Sequence, residues 1–279
     1  MNYLNVGCGS RFHPAWTNLD LVATHPSVLA HDVRRGLPFP ENSFEVVYHS
    51  HVLEHMETSD ARKFIGECVR VLKPGGVLRM AVPDLERIVR DYLAQFEAAL
   101  RGEPGAEVNY DWLMLELLDQ FAREKAGGTM AEALRRDSLP NKSFIEKRIG
   151  SSLFEAVNQS AQKVRTNSIK ATLLRIVRAG GRILTNSRYR RDWFFRLFFR
   201  REYPLLQLGR FRNEGEIHRW MYDRFSLARL LQEFGLVDIV ARSANDSYIP
   251  DWPTYTLDLE ADGTIVKPDS LFMEGRKKP

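Results

Sequence analysis

Gly7 and Gly9 flank Cys8 directly after the apolar run Leu4-Asn5-Val6, and the acids Asp20 and Asp32 follow at short intervals. Glycine at a strand end lets a ligand lie against bare backbone. A carboxylate shortly afterwards can accept hydrogen bonds from both hydroxyls of a ribose, and Asp32 could accept from an adenine amino group while the Val33 backbone donates beside it. These are the parts of a nucleoside pocket in chain order. A dinucleotide site fits poorly: its fingerprint needs a third glycine at position 12 and an acid about 20 residues further on, whereas position 12 is Phe and the acid arrives at Asp20. A pyrophosphate would also want a helix N-terminus. The stretch from Gly9 to Asp20, interrupted by Pro14, is too short to supply one. A second set of residues could move a proton: His51, His55, Asp84 and His218.

The elements that must position these groups alternate between strand and helix. Thr17 to Leu21 reads as a second strand delivering Asp20 and Leu21. Phe44 to His49 is a strand rich in β-branched and aromatic residues, and it delivers Ser50 and His51. Thr58 or Ser59 is expected to cap a helix whose apolar positions Ala61, Phe64, Ile65, Cys68 and Leu72 keep helical spacing. Lys73-Pro74-Gly75-Gly76 stops that helix, and Val77 to Val82 forms the next buried strand. This order predicts a mostly parallel sheet covered on both faces.

Through LNVGCGS, NLDL, HDVRRGLPFPENSFEVVYHSHVLEHM and RVLKPGGVLRMAVPD, residues 3 to 90 resemble the class I S-adenosylmethionine-dependent methyltransferases. Residues 215 to 278 resemble the closing helix and last two strands of that fold more loosely. Within the superfamily the chain is most similar to small methyltransferases found with enzymes of bacterial cell-surface polysaccharide synthesis. The resemblance implies a Rossmann-like α/β sheet with its last strand antiparallel, a shortened or missing first helix, and S-adenosyl-L-methionine as cofactor. It sets Gly7 and Gly9 beside the methionine part, Asp20 and Leu21 at the ribose, Asp32 and Val33 at the adenine, and Ser50-His51 at the cofactor's near face. With the first helix missing, the methionine carboxylate needs a cation, and Arg11 is nearest in sequence.

A chain of 279 residues is long for a minimal domain of this type and short for two. Residues 1–85 and 215–279 are therefore expected to form the cofactor-binding core, and 86–214 a helical insertion covering the acceptor site. Stripes at Val89, Leu93, Phe96, Leu100 and at Leu113, Leu117, Phe121 predict helices there. Two cysteines, Cys8 and Cys68, both in expected core segments, suit a reducing compartment. The N-terminus enters the first strand at once and no run approaches a membrane span, so a cytoplasmic protein without a secretory leader is expected.

Net charge is +4, yet residues 159–213 carry fourteen Lys and Arg against Asp192 and Glu202, a local excess of +12. Such asymmetry predicts an anionic partner. Within it, Trp193-Phe194-Phe195-Arg196-Leu197-Phe198-Phe199 has the aromatic-plus-arginine character of a membrane-interface helix, pointing to the inner face of an anionic bilayer. The competing assignment is a core helix with snorkelling arginines. Nucleic acid is not expected, because no RNA-reading motif accompanies the charge, and oligomeric state is not legible.

His51-Val52-Leu53-Glu54-His55 also fits the H-x-x-E-H pattern of inverted zinc peptidases. It follows a parallel strand instead of opening a long helix, so no metal is expected. The expected reaction is an in-line displacement in which an acceptor hydroxyl, of a carbohydrate or lipid-linked glycan, takes a methyl group. His218, Asp84 and His51 are the candidate bases, and Trp220 and Tyr222 candidate stacking surfaces for a sugar. A small-molecule or nucleic-acid methyltransferase, or a cofactor-binding protein without turnover, are the alternatives.

Overall fold

In the computed structural model, residues 2–136, 138–151, 154–155 and 187–279 are described, without the side chains of Arg188 and Tyr189. Seven strands form one sheet: β1 Tyr3–Val6, β2 Thr17–Asp20, β3 Val28–Ala30, β4 Phe44–Ser50, β5 Leu72–Pro83, β6 Leu236–Arg242 and β7 Ser270–Lys277. Their spatial order is β3-β2-β1-β4-β5-β7-β6. The first five run parallel, while β7 inserts antiparallel between β5 and β6. This is the Rossmann-like order of the class I methyltransferase fold. No helix lies between Val6 and Thr17, in line with the expected loss of the first crossover helix.

Side chains alternate across the sheet, and its two faces are covered differently. On one face Leu4, Val6, Val47, Leu78 and Met80 pack against α1 (Thr58–Val71) and the closing helix. On the other, Tyr3, Val46, Tyr48 and Val77 meet Trp16, Ile249 and Leu257 from loops and Trp252 from a 3₁₀ turn. The irregular connection between β6 and β7 thus occupies space that a missing helix would fill. Arg79 of β5 holds it there. The fully buried guanidinium is paired with Asp258 and Glu274, each at 2.8 Å, and lies 4.4 Å from the Trp252 ring. It also donates to the carbonyls of Ser243 and Asp246. Removing one partner from such a cluster leaves an uncompensated buried charge, which costs about 3–5 kcal/mol.

Helix α1 begins at Thr58 with Glu57 at the cap, and no side chain caps it, contrary to the expectation for Thr58 or Ser59. The chain turns out of the preceding 3₁₀ turn with Glu57 extended, so Thr58 is already helical. The long excursion after β5 carries α2 (Leu85–Leu100), α3 (Ala106–Ala122), α4 (Gly128–Leu134), α5 (Lys142–Ile149), α6 (Ser187–Phe198) and α7 (Tyr203–Asn213). Helix α8 (Arg224–Glu233) returns the chain to β6.

The α2 stripe does not pack as expected: Val89, Leu93 and Leu100 are exposed. The buried side of α2 instead carries Ile88 and Ala98, with Gln95 accepting from Asn109 and Asp91 paired with Arg148. Arg148 also pairs with the buried Glu116 at 2.6 Å. Polar groups supply much of that contact, and hydrophobic periodicity cannot register them. Part of the basic stretch, residues 159–186, lies outside the described residues. In the part that is described, Trp193, Phe194, Leu197, Phe198 and Phe199 are exposed, Phe198 to 64 %, so among the described residues this helix is not a buried core helix. No helix among the described residues is long and apolar enough to cross a membrane.

Candidate functional site

Ligands of open α/β sheets bind outside the carboxyl ends of the strands, and two cavities that share Gly7 and His51 in their walls lie there. Gly7 follows β1 with φ +67°, and a Cβ on it would stand 2.4 Å from Val52 Cγ2. Gly9 has φ +54°, and a Cβ there would meet nothing within 4 Å, because it would project into the cleft. One glycine is thus needed for close packing of the turn, and the other leaves room for a ligand.

The first cavity, about 390 Å³, has Gly7, Gly9, Ser10, Arg11, Ser50 and His51 on its sheet side. Leu257, Asp258, Val266 and Lys267 close it from the β6–β7 connection. The second, about 350 Å³, is lined by Asp20, Leu21, His31, Asp32, Val33, His51, Val52 and His55, with Glu214 and Gly215 from the end of the insertion. Gly7 and His51 belong to both walls. An elongated ligand crossing Gly7 would span them.

In the second cavity Asp20 accepts from the Gly9 N–H at 2.8 Å and the Val22 N–H at 3.2 Å, one on each carboxylate oxygen. Each oxygen keeps acceptor capacity for a ribose hydroxyl. Leu21, 56 % exposed, offers an apolar surface to a base. The Asp32 carboxylate is more engaged than expected: Arg34 donates to both oxygens at 2.8 Å, and this pairing holds its pKa below the usual carboxylate range. An adenine amino group would have to share it.

Arg11 reaches the first cavity, but its guanidinium donates to Glu260 at 2.7 Å and to the Thr256 carbonyl at 3.0 Å. Lys267 lines the same cavity without an ion-pair partner among the described residues, and burial pulls its pKa down. Sequence reading missed Lys267. A lysine beside Pro268 carries no motif, and the cleft it joins is assembled only by long-range folding. Cys8 stays a thiol at neutral pH, since burial and then the nearby Asp20 push its pKa up to about 11.

The histidines gather around one acid. His51 adopts a left-handed backbone, φ 54°, where β4 turns into the 3₁₀ segment Leu53–His55. Its Nε2 is 2.8 Å from Ser270 Oγ and its Nδ1 is 3.1 Å from Glu54 Oε1. Glu54 is fully buried. Burial alone would raise its pKa, but His51, and then His55 and His218, outweigh that and hold it down at about 2. The Glu54–His51 separation is that of an ion pair without hydrogen-bond alignment, so neither Glu54 oxygen has a hydrogen-bonded partner among the described residues.

His55 Nδ1 faces the Ile217 carbonyl at 3.1 Å, and the His218 ring lies 4.9 Å from the His55 ring. His218 is 7 % exposed and lies outside both cavities, and burial drives its pKa down to about 3. The main chain pins it there, through its N–H on the Gln120 carbonyl and through Arg219 and Trp220 N–H groups on the Glu54 carbonyl. Asp84 is also outside both cavities; its side chain accepts from the Arg87 N–H and caps α2. Of the residues that could move a proton, His51 is on both walls and His55 on that of the second cavity, while His218 and Asp84 line neither. Tyr222 is buried in the main core, whereas Trp220 is 48 % exposed. Only the latter is free to stack on a sugar.

Residues 15–80 match the family model described as a methyltransferase domain. A probable S-adenosylmethionine-dependent methyltransferase of Mycolicibacterium smegmatis is 41 % identical over 66 residues, covering 22 % of this chain and 24 % of the relative. A probable methyltransferase of Aspergillus luteorubrus is 35 % identical over 88 residues, covering 27 % and 30 %. The chain thus spans less than a third of the length of these curated relatives. Among solved structures, a possible histamine N-methyltransferase of Thermotoga maritima aligns with 99 % of this chain and 82 % of its own, at 11 % identity and a TM-score of 0.39. Residues 15–80, the part of this chain that matches the methyltransferase-domain model, hold Asp20, Asp32, His51, Glu54 and His55.

Proposed function

We propose that this protein is an S-adenosylmethionine-dependent methyltransferase acting on an acceptor hydroxyl of a carbohydrate or lipid-linked glycan. One observation carries the cofactor: two cavities that share Gly7 in their walls, one with Asp20 and Leu21, the other with open space over Gly9, at the carboxyl ends of β1 and β2. Asp20 would hold the ribose, Leu21 and the Val33 backbone the adenine, and Lys267 or Arg11 the methionine carboxylate. When bound, the cofactor supplies a methyl group on a sulfonium, ready for in-line displacement.

The residues of this chain orient the acceptor and take its proton. His51 stands on the wall shared by both cavities, between Ser270 and Glu54. Its Nδ1 faces the Glu54 carboxylate and its Nε2 the Ser270 hydroxyl, so the ring is held in place on that wall. His51 is therefore the base we assign. Support for a sugar acceptor comes from exposed Trp220 near this end of the sheet, since aromatic faces suit the apolar side of a ring, and from the family resemblance.

The test is transfer from labelled cofactor to cell-surface glycan precursors, with small-molecule and RNA pools as parallel arms. Label in the glycan arm supports the acceptor. Label in another arm alone moves the acceptor, and none with any pool refutes turnover.

We also propose that α6 meets an anionic membrane surface. Exposed Trp193, Phe194, Leu197 and Phe198 beside Arg190, Arg191, Arg196 and Arg200 support this. Co-sedimentation with anionic vesicles at low salt, lost at high salt and with neutral vesicles, is the expected result. A wild-type protein that ignores anionic vesicles refutes it.

A further inference from the structure

We propose that Glu54, His55 and His218 form a binding site for a divalent first-row transition cation, best matched by zinc. Each offers one ligand atom, and the three atoms lie within 4.8 Å of one another. Zinc sites bond imidazole nitrogen and carboxylate oxygen at about 2.0–2.2 Å. The cluster would therefore tighten by roughly an ångström, which a small rotation of each side chain can supply.

Two observations independent of the clustering point to a missing partner. Both oxygens of Glu54, an entirely buried carboxylate, lack a hydrogen-bonded partner among the described residues. The Nδ1 of His218, itself more than nine-tenths buried, lacks one too. Buried polar groups in folded proteins are nearly always satisfied, so unpartnered atoms on two of the three clustered residues point to a bound group. A cation answers all of them at once.

The surroundings fit ligation. His55 Nδ1 is committed to the Ile217 carbonyl at 3.1 Å, so that nitrogen carries the proton and Nε2 presents its lone pair, 3.8 Å from Glu54 Oε1. A backbone carbonyl fixing the tautomer of a ligating histidine is the usual outer-shell arrangement. His51 Nδ1, 3.1 Å from the same oxygen, steadies the carboxylate from the other side. Two imidazoles and one carboxylate favour zinc, iron or cobalt over magnesium or calcium, which prefer all-oxygen shells. His55 lines the second cavity, so an ion can reach the site from the cleft.

The arrangement differs from the peptidase pattern in the sequence. There the histidines of H-x-x-E-H ligate together from one helix. Here His51 turns to Ser270 and its place is taken by His218, brought from beyond the insertion.

The test uses the full chain, stripped with chelator and titrated with cobalt(II), which reports nitrogen ligation through its visible absorption. One equivalent per chain, displaced by zinc, is expected. His55→Ala and His218→Ala should each weaken uptake at least about tenfold, while S-adenosylhomocysteine still binds the metal-free protein. Cofactor binding is read in the same samples, so loss of one result leaves the other intact. Undiminished uptake in both variants, or no stoichiometric uptake by the wild type, overturns the site. Should the variants fail to fold, X-ray absorption of the zinc-loaded wild type decides: two imidazoles with oxygen ligands are expected, and an all-oxygen shell overturns it.

Discussion

Replacing Gly7 and Gly9 separately by alanine should give opposite signatures, and the magnitudes follow from the turn. Both residues have positive φ, +67° and +54°, so alanine at either position incurs about 1–2 kcal/mol of left-handed strain. At Gly7 the new Cβ would also stand 2.4 Å from Val52 Cγ2, more than 1 Å inside the roughly 3.5–4.0 Å of a carbon contact. Relieving such an overlap costs about 1–3 kcal/mol. Gly7→Ala should therefore lose about 2–5 kcal/mol of stability and Gly9→Ala only about 1–2. Val52→Ala removes the clashing carbon, so in that background Gly7→Ala should cost no more than Gly9→Ala. The coupling is then about 1–3 kcal/mol, readable in a double-mutant cycle by urea denaturation. Binding should invert the ranking per unit of lost stability: Gly9→Ala barely unfolds the chain yet puts a methyl group into the cleft, weakening S-adenosylhomocysteine. A Gly7→Ala cost equal to that of Gly9→Ala, or no coupling to Val52, would refute the packing role. Full affinity in Gly9→Ala would refute the ligand role.

His51→Ala should lower the methyl-transfer rate by about 10²- to 10⁴-fold, the usual range for a positioned base, and a normal kcat would remove it from that role. Lys267→Met should weaken S-adenosylhomocysteine by about 10-fold or more in calorimetry, since a hydrogen bond to a charged group is worth about 1.5–3 kcal/mol; unchanged affinity would return the carboxylate to Arg11. His49 is buried in β4 with neither ring nitrogen hydrogen-bonded among the described residues, and burial lowers its pKa to about 4. The unfolded chain takes up that proton near pH 6.5 and the folded chain does not, so its contribution is present above pH 6.5 and lost as pH falls towards 4. Stability should drop by about 2 kcal/mol between pH 7 and 5 from this group, and denaturation curves of His49→Leu should lack that part of the drop.

Local features of the sequence led directly to several residues that line the two cavities. Gly7, Gly9 and Asp20 lie within one strand–turn–strand unit, so spacing alone places them together. Helix α1 follows from helical spacing, β4 from its β-branched and aromatic content, and the second half of β5 from a short apolar run between Gly76 and Pro83, although each strand also buries one polar side chain, His49 and Arg79. Three things escaped. The buried side of α2 is held by Asp91 and Gln95, which read as surface residues. The wall of the first cavity comes from Leu257 to Lys267, brought in by the buried Arg79 pairing with Asp258, a contact between distant segments of the chain. And His218 stands behind His55, because the insertion returns beneath the 3₁₀ turn rather than beside the cleft. Each miss arises where polar or long-range contacts decide position, which short-range hydrophobic patterning does not encode.

In the proposed complex a nucleoside cofactor lies across Gly7 with its ribose on Asp20. Isothermal titration of the full chain with S-adenosylhomocysteine, alongside Asp20→Ala, tests it most directly. One ligand per chain is expected for the wild type and a loss of at least about tenfold in the variant, a carboxylate–hydroxyl contact being worth about 1.5–3 kcal/mol, with the variant still folded. No binding by the wild type, or equal affinity in a folded Asp20→Ala protein, would contradict it.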